Sequence, residues 1–117
     1  MKRQQLAAFL VMATVSAFGV AHATEAEIER LLQFVGTSGC GFERNGNLHP
    51  SDEAEAHLRR KLAGAKGRVK DADTFIDRVA SESSWTGKPY RVTCADQELL
   101  ARDWLVAELQ RIRDTSE

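Results

Sequence analysis

The sequence predicts an α+β fold of about four helices with a small two-stranded antiparallel sheet, stapled by one disulfide. Three observations carry this. Apolar residues recur at helical spacing in several separate stretches. Two short runs, Cys40-Gly-Phe-Glu-Arg44 and Tyr90-Arg-Val-Thr-Cys94, read as strands. The only two cysteines lie on those runs, one on each.

The chain opens with a targeting pattern. Met1 to Gln5 is short and basic, and Leu6 to Val20 is uncharged and rich in Ala, Leu, Val and Phe. Ala21-His22-Ala23 supplies small residues before a cleavage point. These are the three parts of a secretory signal peptide, with cleavage expected after Ala23. The apolar run falls short of the roughly 20 residues that span a bilayer. No Cys follows it and Lys2-Arg3 is not a twin arginine, so neither a lipid anchor nor twin-arginine export is expected. The reading is 1–23 as leader and 24–117 as a single small α+β domain, periplasmic and without a membrane anchor.

Cleavage changes the object under study. The mature chain has 94 of the 117 residues and loses Lys2 and Arg3, leaving 14 basic against 17 acidic residues. A chain of this size buries only about 60–65% of its unfolded surface, so its core is marginal. Cys40 and Cys94 meet that need in an oxidising compartment, where a disulfide is the default reading. The closed loop holds 55 residues. Its closure is worth about 4 kcal/mol at most.

Each mature element has a local reason. Thr24 reads as an N-cap with Glu27 three residues on, followed by Ile28, Leu31, Leu32 and Val35. Gly36 to Gly39 ends that helix. Asn45-Gly46 is the strongest turn signal in the chain, since both residues tolerate positive φ. Pro50 suits the first position of a second helix, with Asp52 and Glu53 in its first turn and Ala54, Leu58 and Leu62 on its buried face. Asp71 caps a third, carrying Phe75, Ile76 and Val79. Ser81 to Pro89 has turn composition. Asp96 is read as the cap of a last helix through Leu100, Trp104, Leu105, Leu109 and Ile112.

Composition excludes several functions. A formal net charge of −1, and an acidic mature chain, disfavour nucleic acid as a partner. There is no phosphate-loop spacing, no Gly-x-Ser-x-Gly elbow and no Cys-x-x-Cys pair. No cofactor is expected. His49, Glu53 and His57 have i, i+4, i+8 spacing and are the weak candidates for a metal site, but Pro50 places His49 outside the helix. The basic run His57-Leu-Arg-Arg-Lys61 reads as a solvated helix face. Ser83 to Tyr90 mixes hydroxyls, an aromatic, a flexible Gly and a cation, which suits recognition.

Four motifs carry a family resemblance. They are Cys40-Gly-Phe-Glu-Arg-Asn-Gly46, His57-Leu-Arg-Arg-Lys-Leu62, Thr74-Phe-Ile-Asp-Arg-Val-Ala-Ser81 and Ser84-Trp-Thr-Gly-Lys-Pro-Tyr90. In this order they resemble a YfeK-like family of small secreted proteins of Gram-negative bacteria, a domain of unknown function. The resemblance implies a periplasmic location and a small α+β fold, and it implies no known activity. It also implies that the cysteine pair is accessory, since some relatives lack it.

The expected function is a non-catalytic binding or accessory module. Its surface would combine the Arg44-Asn45-Gly46 turn with Ser84, Thr86, Gly87, Lys88 and Tyr90. The partner would be a periplasmic protein or an envelope component. The alternatives are a small envelope hydrolase using Ser83 or Ser84 with His49 or His57, and metal binding through His49, Glu53 and His57.

Overall fold

The computed structural model describes residues 17–65 and 67–116, with side chains from Thr24 onward. The leader read at 1–23 therefore lies largely outside the described residues. Helix α1 spans Ala17–Thr37. Thr24 thus stands inside a helix rather than capping one, because the alanine-rich residues before it also favour helix. Leu31, Leu32 and Val35 turn inward from α1 and are buried.

Strand β1 (Gly41–Arg44) follows, then β2 (Asn47–His49). Asn45 and Gly46 between them have φ of 51° and 85°. These left-handed values match the twist of the flanking strands, so the chain returns at once as a hairpin. Arg44 then faces Asn47, and Phe42 faces His49. The sequence reading identified this turn but not the strand it produces. β2 is only three residues long, its Leu48 is 64% exposed, and it bears no alternating pattern.

Helix α2 (Ser51–Gly64) begins with Pro50 as its N-cap, one residue later than expected. Ala54 and Leu58 are its buried residues. Helix α3 (Ala72–Phe75) is capped by the Asp71 side chain, which accepts from the Thr74 amide at 2.7 Å. It continues as a π-helical turn over Ile76–Ala80. The Ser81 hydroxyl donates to the Ile76 carbonyl at 2.5 Å, satisfying an acceptor at this widened turn.

Strand β3 (Arg91–Cys94) pairs with β1, and β4 (Gln97–Leu100) pairs with β3. The sheet is therefore four-stranded and antiparallel, in the order β2-β1-β3-β4, not two-stranded. Asp96 lies in the β3–β4 turn beside Ala95, whose φ is 53°, and caps no helix. Helix α4 (Ala101–Thr115) starts after β4. Gln97-Glu-Leu-Leu100 has helical propensity, but pairing with β3 outweighs it. An ion pair from Arg91 to Glu98, at 2.6 Å, fastens that edge.

The buried residues form one core. Phe42 and Val92 face the helices, against Leu58 of α2, Phe75 and Val79 of the third helix, and Leu105 and Leu109 of α4. Cys40 and Cys94 continue the register of the Phe42–Val92 pair and are joined as a disulfide, with Cα atoms 4.6 Å apart. Among the described residues, no helix is long and apolar enough to cross a membrane.

Candidate functional site: a cationic cleft centred on His57

The β1–β3 register determines where the site forms. Residues pair as Gly41 with Thr93, Phe42 with Val92 and Glu43 with Arg91. The next step along sets Arg44 across from Tyr90, on the same side as Phe42 and Val92 and thus beneath the helices. Helix α2 crosses above this end of the sheet. Its His57 and Lys61, four residues apart, share a face and point down to it. Arg59 between them turns away and is held by Glu29 and Glu55.

Four side chains meet there. Arg44 Nη1 lies 3.3 Å from His57 Nε2, and the Tyr90 hydroxyl lies 3.3 Å from the same nitrogen. Lys61 Nζ donates to the Tyr90 hydroxyl at 3.0 Å and to the Glu82 carbonyl at 2.9 Å. Arg and Lys can only donate. The directions follow: Lys61 donates to Tyr90, and Tyr90 and Arg44 both donate to Nε2. That nitrogen must carry no proton, so His57 is neutral, with its proton on Nδ1. Lys61 Nζ also stands 4.8 Å from the centre of the Tyr90 ring.

Electrostatics agree with the hydrogen bonds. Burial, and then the charges of Arg44, Lys61 and Arg60 with His49 beyond, lower the His57 pKa from 6.5 to about 4. Burial lowers the Lys61 pKa, with Arg44 adding to the effect and Glu82 opposing it. Burial raises that of Tyr90. Arg44 Nε is buried with no hydrogen-bond partner among the described residues. A buried donor left without a partner costs about 1–3 kcal/mol.

The loop from Ser81 to Tyr90 forms the other wall. Ser83 is 4% exposed, and its hydroxyl oxygen accepts from the amides of Trp85 and Thr86 and from Asn45 Nδ2. Its amide donates to the Lys88 carbonyl, and its carbonyl accepts from the Gly87 amide. Gly87 has φ of 73°, a conformation that glycine adopts without penalty. Thr86 Oγ1 donates to Asn45 Oδ1 at 2.6 Å. The hairpin turn is thereby tied to the loop. Between them lies a cleft of about 240 Å³, lined by Arg44, Asn45, His57, Lys61, Ser83, Ser84, Trp85 and Tyr90. Trp85 stands at its edge, 96% exposed.

The structure thus brings Arg44, Asn45, Ser84 and Tyr90 of the sequence-derived surface to one cleft, with Thr86 bonded to its rim. Gly46 and Gly87 shape the two turns. Lys88 holds the loop through its backbone, and its side chain is exposed. His49 contacts Glu53 at 3.4 Å, whereas His57 turns to Arg44 and Tyr90. Among the described residues, no group of three His, Cys, Asp or Glu is placed to hold a metal ion. Ser83, Ser84 and His57 line the same cleft, but no described hydrogen bond joins a serine hydroxyl to a histidine. Sequence reasoning missed His57 and Lys61 as partners of Arg44. Their i, i+4 spacing inside the basic run was the available signal, but only the sheet register shows what lies below them.

Counter-charges are distributed unevenly. Arg59, Arg91, Arg102, Arg111 and Arg113 each pair with a carboxylate. Arg44 and Lys61 have no such pair among the described residues. The class of protein is now defined: a small disulfide-stapled α+β protein, helices on one face of a four-stranded antiparallel sheet, with a cationic cleft where α2 meets the sheet end.

Comparison with known proteins identifies the family. The chain belongs to the family of unknown function DUF5329, whose profile matches residues 22–113. It is similar to the uncharacterised protein YfeK of Salmonella typhimurium, with 55% identity over 49 residues. That match covers 42% of this chain and 41% of the relative, so the chain spans about two fifths of its length. No solved structure matches.

Proposed function

We propose that this protein is an exported, non-catalytic binding module that holds an anionic group in the Arg44–His57–Lys61–Tyr90 cleft. One observation carries the reading: Arg44 meets a neutral histidine, Lys61 meets the Tyr90 hydroxyl bonded to that histidine, neither cation makes an ion pair among the described residues, and the buried Nε of Arg44 has no partner among them. Two partly desolvated cations held together without an ion pair repel each other, and Glu82 offsets this only in part at Lys61. An anion arriving between them relieves both costs. Export is supported by the leader pattern at 1–23 and by the disulfide, which persists in oxidising compartments.

His57 gives the reading a signature. An anion at the cluster offsets the repulsion that keeps the ring neutral, so binding and protonation of His57 favour each other. Affinity for a carboxylate should therefore rise as pH falls from 7 towards 5. The test is a titration of the folded protein with sodium galacturonate, followed by NMR of the His57 ring and of the Tyr90 and Asn45 amides. Saturable shifts at these residues, with the His57 pKa moving up, are expected. Arg44→Gln should weaken binding about tenfold or more, since a charged hydrogen bond is worth about 1.5–3 kcal/mol. No saturable shift at any of the three residues would overturn the reading.

A further inference from the structure

The cleft does not end at Lys61. A second depression of about 320 Å³ adjoins it and shares Lys61 and Ser84 as lining residues. It is also lined by Arg68, after α2, and Arg78, on the π-helical turn. Neither arginine makes an ion pair among the described residues. Two acids near Arg78 in sequence are engaged elsewhere, Asp77 with Arg102 and Asp73 with Arg113, while Glu82 makes no ion pair among the described residues. The Glu82 carboxylate acts electrostatically on Lys61 and opposes the cations there. Four cations without an ion pair among the described residues thus line the two adjoining depressions: Arg44 in the first, Lys61 in both, Arg68 and Arg78 in the second.

The surroundings of these cations indicate the ligand. Trp85 presents a wholly exposed ring beside the shared residue Ser84. Its electron-rich face suits the polarised C–H bonds of a sugar ring better than another anion. The Ser84 hydroxyl and the Asn45 side chain, which is bonded to Thr86, line the same depression and offer polar groups to sugar hydroxyls. The depressions are small and mixed in lining, charged and hydroxyl side chains standing beside apolar ones, without the broad apolar centre that a protein partner would bury.

We propose that the two depressions form one binding track for an acidic glycan of at least two sugars, with one carboxylate at Arg44 and Lys61, another at Arg68 and Arg78, and a sugar ring on Trp85. This rests on the anion-site reading above and adds to it the class and length of the ligand.

Calorimetry in low-salt buffer at pH 6 tests it with four probes: galacturonate, trigalacturonate, maltotriose and tripolyphosphate. Trigalacturonate should bind at least about tenfold more tightly than galacturonate, because its second carboxylate engages a linked site. The Arg68→Ala/Arg78→Ala double variant should remove that gain and leave galacturonate binding unchanged. Trp85→Ala should weaken both uronates. Maltotriose should not bind measurably. Equal affinity for the monomer and trimer, or a gain that persists in the double variant, overturns the two-lobed track while sparing the anion site. Tripolyphosphate binding as tightly as trigalacturonate overturns the carbohydrate class. Failure of galacturonate itself overturns the anion site, and the track falls with it.

Discussion

His57 concentrates the chemistry of the site in one side chain. Its Nε2 accepts from both Arg44 and Tyr90, so a proton there would replace two attractions with repulsion from Arg44, Lys61 and Arg60. The folded-state pKa of about 4 lies below the ordinary 6.5, so the unfolded chain takes up this proton first. Above pH 6.5 neither state binds it and the residue is neutral to stability. As pH falls from 6.5 towards 4, unfolding gains a proton and stability drops. His57 is only partly buried, so solvent screening reduces the effect to about 1–2 kcal/mol. Urea midpoints measured at pH 7.5 and pH 4.5 should differ less in His57→Gln than in the parent protein. An equal pH response in the two proteins would refute the neutral histidine.

Asn45 shows how one residue serves two levels of structure. Its backbone forms the hairpin turn at φ of 51°, and its side chain reaches Ser83 and Thr86 across the cleft. The turn was legible in the dipeptide Asn45-Gly46. The long-range bonds were not, because they depend on where residues 83–86 come to rest.

At the scale of elements, the two hairpins and the disulfide form one unit. Cys40 and Cys94 extend the Phe42–Val92 register, so the staple reinforces pairing already held by backbone bonds and two buried side chains. The Cys40→Ala/Cys94→Ala protein should fold with an unchanged far-UV circular dichroism spectrum. Its unfolding free energy in urea should be lower by about 2–4 kcal/mol. Loss of the sheet signal in that variant would make the disulfide a requirement of the fold. The elements missed in the sequence share a cause. β2 and β4 are edge strands, and both follow two-residue turns. Edge strands bury little, so their sequences need not alternate. In β4 the residues Gln97-Glu-Leu-Leu100 even favour helix, and only the neighbouring strand holds them extended.

At the scale of the whole molecule, charge is sorted. Arg59, Arg102, Arg111 and Arg113 of the helices are neutralised in pairs, while Arg44 and Lys61, where α2, the sheet end and residues 81–90 meet, make no ion pair among the described residues. Net charge gives no hint of this, since an acidic chain can still carry a local cationic cleft. Export belongs to this scale as well. Protein recovered from the periplasm should begin at Thr24 and contain no free thiol, as read by intact mass before and after alkylation. A chain recovered with residues 1–23 attached, or with two alkylated cysteines, would contradict the proposed export and oxidation.

The sequence by itself determined the α+β class, the helical faces, the Asp71 cap, the Asn45-Gly46 turn and the paired cysteine-bearing strands. Each depends on short-range periodicity or on the conformational freedom of a few neighbouring residues. Tertiary structure alone decided the four-strand order, the fate of Asp96 and the company that His57 keeps. These depend on contacts between residues tens of positions apart, such as Arg44 with His57 and His57 with Tyr90. Local pattern carries no record of such distances, and the cleft exists only where strand register and helix crossing bring those residues together.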